Sequence, residues 1–310
     1  MSEPIAYFNG QYVPASQLLI PVTDLGFMQG VTVAEQLRTF GGRLFQLDKH
    51  LDRLARSLEI IGVQPPLARS DFERIALELI DRNFPDVSPG GDLGLSLFVT
   101  PGSYAHLTGY PYSPQPAVGL HTYELQFPWA SKYETGESLV VTGVQQVPSA
   151  CWPAELKCRS RIHYYLADRE ARAKQPGARA LMVDGEGFVT EASTANLLVY
   201  QRGVGLLSPP PEKILPGVTV AVLQQLATAL GIACSYRDLT VVDVGAADEV
   251  LLCSTSPVVW SVTQLDGRAI GEGRPGEIVA ALQRAFSDLV GLDIVAQAQA
   301  WAALQLTRGL

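Results

Sequence analysis

The sequence predicts an α+β protein built from two domains. Its 310 residues are too many for one small hydrophobic core. The first half places two amphipathic helical segments among short β-prone segments, and the second half again mixes strands with helices. Between them, residues 127–137 (FPWASKYETGE) have the composition of a linker. We therefore expect an N-terminal domain over 1–126 and a C-terminal domain over 138–310.

The N-terminal half contains clear local signals for a hairpin and two helices. Residues 5–14 predict a β-hairpin, because Asn9-Gly10 is a strong turn signal between two β-prone runs. Apolar residues spaced three and four apart predict a helix over 48–61. A second helix is expected over 71–83, with Ser70 as its N-cap. Further strands are expected over 31–40, 93–100 and 118–123.

The C-terminal half is predicted to hold three helices among its strands. The helices are expected at about 160–174, 218–230 and 275–289. A strand pair is expected around the turn Asp184-Gly185-Glu186-Gly187. The remaining strands are expected at 139–147, 196–200, 205–208, 249–253 and 258–263.

The charge and the cysteine content limit the classes of partner. The net charge is −8, which argues against nucleic acid as the main partner, although a few buried Arg residues and backbone N–H groups can still hold a small anion. The 4 cysteines lack metal-binding spacing, so we expect no metal and reduced thiols in a cytoplasmic protein. We expect neither a signal peptide nor a membrane-spanning segment.

Lys157 and Glu191 are the first candidates for chemistry. Lys157 stands in a short polar segment before an apolar helix, where an exposed residue and a functional amine are about equally good interpretations. The nearby Arg159 and Arg161 disfavour its ammonium form and so favour a nucleophilic amine. Glu191 closes an apolar strand, where a lone Glu is usually solvated, but the hydroxyl and amide residues that follow it favour local hydrogen bonds.

Three further segments have the composition of an anion site. Leu215-Pro216-Gly217 opens a helix whose first N–H groups, at Val218 and Thr219, can bind an anion, although many ordinary loop-to-helix transitions have this pattern. Thr255 belongs to a hydroxyl-rich strand end. Arg53 lies among the apolar positions of the first long helix and can point inward, although most single Arg residues are exposed.

The order of these residues resembles the class IV aminotransferases, the fold-type IV group of pyridoxal-phosphate enzymes. That family includes branched-chain aminotransferases, D-amino-acid aminotransferases and aminodeoxychorismate lyase. The motifs that carry the resemblance cover nearly the whole chain. They are Phe8-Asn9-Gly10, Asp24-Leu25-Gly26-Phe27 with Gly30 and Glu35, His50-Leu51-Asp52-Arg53-Leu54, Leu156-Lys157, Glu170-Ala171, Val189-Thr190-Glu191, Asn196-Leu197, Leu215-Pro216-Gly217-Val218-Thr219 and Ser254-Thr255.

The resemblance implies a fold, a cofactor and a set of residue roles. Two α+β domains, as in the D-amino-acid aminotransferases, would hold pyridoxal 5′-phosphate in the cleft between them, with the C-terminal domain carrying Lys157 and a homodimer as the assembly. Lys157 would be the Schiff-base lysine and move the proton, and Glu191 would pair with the pyridine nitrogen. Arg161 would lie near the ring's 3-hydroxyl. The residues expected to hold the phosphate are Arg53, Val218, Thr219 and Thr255.

The implied reaction is amino transfer between an amino acid and a 2-oxo acid. Arg38 follows Glu35 by three residues, as in branched-chain members, so it is expected to approach the substrate carboxylate, and the alternative is an exposed strand Arg. This spacing favours branched-chain or other apolar substrates. Departures from the family pattern, such as Leu25 and Ser160, leave the stereochemistry and a lyase reaction open. A non-catalytic binding protein is the third alternative, against which Lys157 and Glu191 argue.

Overall fold

The computed structural model describes residues 3–104 and 115–308. Its contacts divide the chain into two compact units. The first comprises Met1–Leu125 together with Leu156–Ser160, and the second comprises Gln126–Glu155 together with Arg161–Leu310. Each unit combines a β-sheet with helices, so the α+β class predicted from the sequence is confirmed.

The first unit is a six-stranded antiparallel sheet with two long helices. The strand order across the sheet is β2-β1-β6-β5-β3-β4. The strands are β1 (Ile5–Phe8), β2 (Gln11–Pro14), β3 (Val33–Phe40), β4 (Arg43–Leu44), β5 (Leu93–Thr100) and β6 (Ala117–Glu124). The helices are α1 (Leu25–Met28), α2 (Leu47–Ile61) and α3 (Arg69–Asn83).

Strand β3 shows how this sheet is buried. Val33 and Leu37 join Leu95 of β5 in the hydrophobic core that the apolar faces of α2 and α3 complete. Because successive residues of a strand point to opposite faces, Gln36 and Arg38 lie on the face turned away from these helices. The unit therefore has a helix-covered face with an apolar core and an opposite face that carries polar side chains.

The start of α3 differs from the prediction. The sequence predicts Ser70 as the N-cap, but the cap position is Ala68 and Ser70 lies inside the first turn. The Ala68 N–H donates to the Asp71 carboxylate at 3.0 Å. An acidic side chain in the first turn therefore holds this helix start and also interacts favourably with the helix dipole.

The segment that carries Lys157 belongs to the first unit, although the sequence places it in the C-terminal domain. Cys158 forms an antiparallel bridge with Val33, and Arg159 N–H donates to Thr32 O at 2.8 Å. β4 pairs only with the end of β3, at Thr39 and Phe40. The start of β3 therefore keeps an edge to which residues 156–160 add as a short extended ribbon.

The second unit is built on a mixed sheet of ten strands, and its path runs β12-β11-β10-β14-β15-β7-β8-β9-β13, with β16 paired to β15. The strands are β7 (Glu137–Val141), β8 (Arg179–Val183), β9 (Phe188–Ala192), β10 (Asn196–Gln201), β11 (Gly205–Ser208), β12 (Cys234–Tyr236), β13 (Leu239–Thr240), β14 (Glu249–Ser254), β15 (Val258–Leu265) and β16 (Arg268–Ala269). The helices are α4 (Lys132–Thr135), α5 (Ile162–Lys174), α6 (Val218–Ala229), α7 (Val241–Gly245), α8 (Glu277–Val290) and α9 (Ile294–Arg308). In the described part of the chain, none of the helices is long and apolar enough to cross a membrane.

This unit departs most from the prediction in three places. The segment read as a linker, 127–137, contains α4 and the first residue of β7. The strand expected at 139–147 ends at Val141. The last helix that the sequence predicts is at 275–289, but α9 follows it, with Ile294, Ala298 and Trp301 buried along one side. Their spacing of four and three is a helical signal that could have revealed α9.

Candidate active site

The backbone of Lys157 is fixed on two sides within the first unit. Its N–H donates to Ser57 Oγ of α2 at 3.2 Å. Its carbonyl oxygen accepts from Ala34 N–H of β3 at 3.0 Å. The side chain is partly buried. Strand β3 and helix α2 thus position a partly accessible primary amine, which is the group that a nucleophilic lysine needs.

Arg53 lies one helical turn before Ser57 and is held by a carboxylate of β3. Its Nε donates to Glu35 Oε1 and its Nη2 to Glu35 Oε2, both at 2.8 Å. His50 Nδ1 lies 2.7 Å from Glu35 Oε2. All three side chains are buried. The two-point contact with Glu35 fixes the plane of the Arg53 guanidinium. Arg binds phosphates and carboxylates through donors that lie in this plane.

The charges of this cluster follow from its burial. Burial raises the pKa of the Glu35 carboxyl, but hydrogen bonds and charge from Arg53, followed by His50, outweigh it and lower this pKa to about 2. Burial lowers the pKa of His50, and this effect is larger than the increase that the contact with Glu35 causes. Near neutral pH the cluster therefore holds one carboxylate, one guanidinium and a neutral imidazole that can donate from Nδ1.

Glu191 lies at the end of β9 in the second unit and is buried. Its Oε1 accepts from Tyr164 Oη at 2.5 Å and from Gln146 Nε2 at 3.0 Å. Its Oε2 lies 3.5 Å from both Asn196 Nδ2 and Leu215 N. Four donors converge on this carboxylate, but those at Oε2 are at the limit of hydrogen bonding, so Oε2 can exchange these long contacts for a stronger bond from a charged donor.

Tyr164 and Cys253 show how apolar the surroundings of Glu191 are. Burial, reinforced by the charge of Glu191, raises the pKa of the Tyr164 phenol well above 10.0. The same two causes, burial first, raise the pKa of the Cys253 thiol. Both groups therefore stay protonated over the physiological range, and Tyr164 acts as a hydrogen-bond donor to the carboxylate.

The start of α6 is built around Asn196. Its Nδ2 donates to Leu215 O at 2.9 Å. A Cβ at Gly217 would lie 2.1 Å from Asn196 Oδ1, so only glycine allows this approach. No side chain of the described residues caps the helix at Gly217, and Thr219 in the first turn is buried. A helix start with this composition can bind an anion through its N–H groups.

Arg161 and Thr255 are two further predicted site residues. Arg161 precedes α5 and is partly buried, and its charge contributes, after burial, to the lowered pKa of His163. Thr255 lies in the turn between β14 and β15, shortly before Val258, which has a positive φ of 62°. A valine in this backbone region is strained, and such strain often accompanies functional turns.

Arg38 has a different environment from the one that the sequence predicts. Its side chain is 1% exposed, and its Nη2 lies 3.6 Å from Asp92 Oδ2. Its guanidinium lies 4.0 Å from the centre of the Phe40 ring. The charge of Arg38 therefore has a carboxylate partner inside the protein, and its role towards a substrate carboxylate stays a prediction without structural support.

The structure thus forms two groups of candidate residues, each within one unit. Lys157 and Arg53 are joined through α2, and Glu191 is joined to the start of α6 through Asn196. Sequence reasoning missed Tyr164 and Gln146, which hold Glu191. Tyr164 lies on α5, seven residues after Lys157, and this closeness in sequence could have revealed it. Gln146 follows the end of β7, where no local sequence pattern marks it. Within residues 3–104 and 115–308, no cluster of His, Cys, Asp and Glu could hold a metal ion.

Comparison with known proteins decides the family. The model of the family "Amino-transferase class IV" matches residues 32–265. The chain belongs to this family. Among curated class IV relatives, the D-alanine aminotransferase of Bacillus licheniformis is 28% identical over 285 residues, which are 91% of this chain and 96% of the relative. A Methanocaldococcus jannaschii protein, provisionally named a branched-chain-amino-acid aminotransferase, is 28% identical over 292 residues and 91% of this chain, with 95% of its own length covered.

Solved structures of branched-chain amino acid aminotransferases share the fold. The T.th. branched-chain amino acid aminotransferase with pyridoxamine 5′-phosphate has a TM-score of 0.84 at 23% identity, covering 94% of this chain and 95% of that one. The branched-chain enzyme of Thermoproteus uzoniensis with norvaline has a TM-score of 0.81 at 24% identity, covering 94% and 96%. At this level of identity the likeness establishes the fold, and the substrate has to be argued from the residues of this chain.

Proposed function

We propose that this chain is a pyridoxal 5′-phosphate-dependent aminotransferase that moves an amino group between an amino acid and a 2-oxo acid. The observation that carries the proposal is the buried Glu191 carboxylate, which four donors orient, two of them only at the limit of hydrogen bonding. A buried carboxylate that can exchange long contacts for a charged donor suits a protonated ring nitrogen. Membership of the class IV family supports the cofactor, which a structural relative binds as pyridoxamine 5′-phosphate.

Each residue that the sequence predicts to bind the cofactor has a role in this proposal. Lys157 Nζ would bind the cofactor covalently and afterwards carry the proton that leaves and returns to the substrate carbon. The Glu191 carboxylate would accept a hydrogen bond from the ring nitrogen and so keep that nitrogen protonated. When bound, pyridoxal phosphate supplies an electron sink for the substrate carbanion. Arg161 would lie near the ring's 3-hydroxyl. The residues that would bind the phosphate are Arg53, Val218, Thr219 and Thr255.

The contacts within each unit fit such a cofactor. The Lys157 amine is partly buried and its backbone is fixed by β3 and α2. Arg53 is pre-oriented by Glu35. The start of α6 is uncapped by any described side chain and closely approached by Asn196. The Lys157 amine is thus a fixed group for covalent attachment, and Arg53 and the start of α6 are fixed groups for binding an anion. The cofactor requires both kinds of group.

We propose an amino acid with an apolar side chain as the amino donor, with the branched-chain amino acids as the first candidates. The names of the relatives support apolar donors, because they include D-alanine and branched-chain aminotransferases. These names also leave the L and D forms as competing possibilities. A test of the donor therefore needs both forms.

The test begins with the purified protein loaded with pyridoxal phosphate and freed of excess cofactor. Visible absorbance should fall when an amino donor is added and return when a 2-oxo acid follows. Donors should include L- and D-alanine, leucine, valine and glutamate, each with pyruvate and 2-oxoglutarate as acceptors. Pyruvate release from aminodeoxychorismate without amino transfer would identify a lyase instead. Absence of visible absorbance after loading would contradict the cofactor itself.

We also propose that the chain acts as a homodimer. The segment between β2 and β3 exposes large apolar side chains within ten residues: Leu19 is 70% exposed, Val22 63% and Phe27 71%. Exposed apolar surface of this kind is typical of interfaces between protein chains. Light scattering should give twice the mass of one chain, and the triple variant Leu19→Ser, Val22→Ser, Phe27→Ser should shift it towards the monomer.

A cytoplasmic location completes the proposal. All four cysteines are free thiols, and Cys151 is exposed. Free thiols persist in reducing compartments such as the cytoplasm. Cell fractionation should find the protein in the cytoplasmic fraction, and recovery from an extracellular fraction would contradict this assignment.

A further inference from the structure

Residues 209–217 join β11 to α6, and we call them the entry segment of α6. Four of these nine residues are prolines, which have no backbone N–H to donate. They are Pro209, Pro210, Pro211 and Pro216. Because so few backbone donors are available, the position of the entry segment depends strongly on its side chains, and Lys213 is the cationic side chain among them.

Lys213 connects the entry segment to two separate parts of the second sheet. Its Nζ lies 2.9 Å from Asp184 Oδ2, in the turn between β8 and β9, and 2.8 Å from Asp238 Oδ1, just before β13. Nζ also lies 4.5 Å from the centre of the Phe188 ring at the start of β9. Because β13 pairs with β9, both carboxylates belong to neighbours of the strand that carries Glu191. One ammonium group thus holds the entry segment against the surroundings of this strand.

The turn that carries Asp184 is itself fixed by hydrogen bonds. Asp184 Oδ1 accepts from Glu186 N–H at 3.0 Å and from Phe188 N–H at 2.9 Å, while Oδ2 faces Lys213. Burial lowers the pKa of the Lys213 ammonium, but its hydrogen bonds to Asp238 and Asp184 outweigh this effect and raise the pKa. Lys213 is therefore charged over the physiological range, and one of its two close partners is held in place by the turn.

Two residues after Lys213, the entry segment reaches the candidate active site. Leu215 N lies 3.5 Å from Glu191 Oε2, and Leu215 O accepts from Asn196 Nδ2 at 2.9 Å. Ile214, which separates Lys213 from Leu215, is buried. A displacement of Lys213 would therefore pass through a single core residue to the backbone that begins α6. The ion pairs and the buried side chain together determine where the first N–H groups of α6 lie.

Lys174, at the end of α5, shows what an ordinary surface lysine of the same unit looks like. Its side chain is 52% exposed, whereas that of Lys213 is 22% exposed. Lys174 pairs with Glu170 of its own helix and donates to Val141 O of β7, so its contacts lie away from the entry segment. Exposed ion pairs of this kind contribute little, because water and salt screen them. Lys174 is therefore the matched control for Lys213.

We propose that Lys213 is a positioning residue for the phosphate of the cofactor, because it holds the entry segment so that the N–H groups of Val218 and Thr219 can bind that phosphate. The inference rests on the proposed function and adds to it a residue that acts through the entry segment. The contact of this segment with Glu191 is at the limit of hydrogen bonding, so the effect of Lys213 is confined mainly to the phosphate.

The test compares pyridoxal phosphate with pyridoxal, which lacks the phosphate, as ligands of the cofactor-free Lys213→Met variant. Methionine keeps most of the side-chain length and removes the charge. The dissociation constant for pyridoxal phosphate, measured by titration of the visible absorbance, should rise about tenfold, and that for pyridoxal should change less than about twofold. Lys213→Arg should restore most of the affinity, because a guanidinium can pair with both carboxylates. Lys174→Met should change neither constant.

Inorganic phosphate gives a second readout without the cofactor. At the same phosphate concentration, the melting temperature of the cofactor-free wild-type protein should rise more than that of Lys213→Met, because a ligand stabilises a protein according to its affinity. If Lys213→Met fails to fold, Asp238→Asn replaces it in the test. Asp238 is 44% exposed and is one of the two close partners of Lys213, so its loss should raise the dissociation constant for pyridoxal phosphate alone, by a smaller factor.

The outcomes separate this inference from the proposed function. Equal losses of affinity for pyridoxal phosphate and pyridoxal in Lys213→Met overturn the inference, because Lys213 would then support the fold as a whole. Unchanged affinities overturn it too, and both results leave the function intact. A wild-type protein that binds pyridoxal phosphate but transfers no amino group contradicts the proposed function and leaves the role of Lys213 intact. A wild-type protein that binds neither ligand overturns both.

Discussion

Glu35 of β3 and Arg53 of α2 face each other in a two-point ion pair, with Nε–Oε1 and Nη2–Oε2 both at 2.8 Å. His50, one turn earlier on α2, contacts the same carboxylate. Glu35 of the strand thus contacts the face of α2 that also carries Ser57. Ser57 Oγ accepts the hydrogen bond from the Lys157 backbone N–H. The arginine and the lysine segment are held by one helix, so a change in this cluster should affect both.

The first prediction concerns the stability that this ion pair provides. Glu35→Gln removes the carboxylate charge that faces the buried Arg53 guanidinium. We expect the free energy of unfolding of the cofactor-free protein to fall by about 3–5 kcal/mol, measured by urea denaturation. Glu59→Gln on the same helix, where the side chain is 71% exposed, is the control and should change it by less than about 0.5 kcal/mol.

The same pair predicts a pH dependence of stability. The pKa of Glu35 is lowered from 4.5 to about 2 in the folded protein, because Arg53 and His50 outweigh the effect of burial. Since the folded value lies below the unfolded one, the contribution is fully present above pH 4.5 and is lost as the pH falls towards 2. The difference between wild type and Glu35→Gln should shrink over this range. Parallel stability curves would contradict this account.

Local sequence signals predicted the elements that depend on neighbouring residues. Helix α2 was predicted from its apolar spacing, and its observed limits, Leu47–Ile61, differ from the predicted 48–61 by one residue. The first hairpin likewise follows from Asn9 and Gly10, which both have positive φ. Here the turn chemistry and the periodicity decide the structure, and both can be read from a few consecutive residues.

Long-range contacts explain what the sequence could not provide. Lys157 was assigned to the C-terminal domain because of its position in the chain, whereas its ribbon pairs with the start of β3. Gln146 contacts Glu191 from 45 positions away, and no local pattern marks it. Arg38 lies 3.6 Å from Asp92, which comes from a distant part of the chain, and its role towards a substrate carboxylate stays a prediction. Such pairings depend on strand register, which a single sequence does not specify.

The second prediction concerns Glu191, the acceptor of four donors. In Glu191→Gln the side-chain NH2 group faces either the donors of Tyr164 and Gln146 or those of Asn196 and Leu215, depending on how the amide is turned. In both orientations an N–H group faces hydrogen-bond donors. We expect the cofactor-free protein to lose about 1–3 kcal/mol of unfolding free energy. In the loaded enzyme, turnover should fall far more than cofactor affinity, because the ring nitrogen loses its anionic partner. Near-normal turnover would contradict the proposed role, even if the loss of stability were observed.

The third prediction uses the close approach of Gly217 to Asn196. Gly217→Ala would place Cβ 2.1 Å from Asn196 Oδ1 and displace the start of α6. The φ of Gly217 is −69°, so alanine is not strained by the backbone itself, and steric displacement is the only effect. We expect cofactor affinity to fall about tenfold or more, measured by titration of the visible absorbance.

Gly185 provides the matched control for this substitution. A Cβ at Gly185 would meet nothing within 4 Å, so Gly185→Ala should leave cofactor affinity unchanged. Equal affinities of the Gly217→Ala and Gly185→Ala variants would show that the start of α6 does not bind the phosphate.

The last prediction concerns the covalent link at Lys157. Lys157→Ala removes the primary amine while Ser57 and Ala34 still hold the backbone of the ribbon, because both contacts are made to main-chain atoms of residue 157. The variant should therefore fold, and it should lose the visible absorbance of the protein-bound cofactor. Borohydride reduction of the loaded wild type, followed by peptide mass spectrometry, should find the cofactor on the peptide that contains Lys157. Lys174→Ala, on the exposed side of α5, should keep both signals. Cofactor found on any other lysine would reject Lys157 as the attachment point, because a reduced link records where the bond was made.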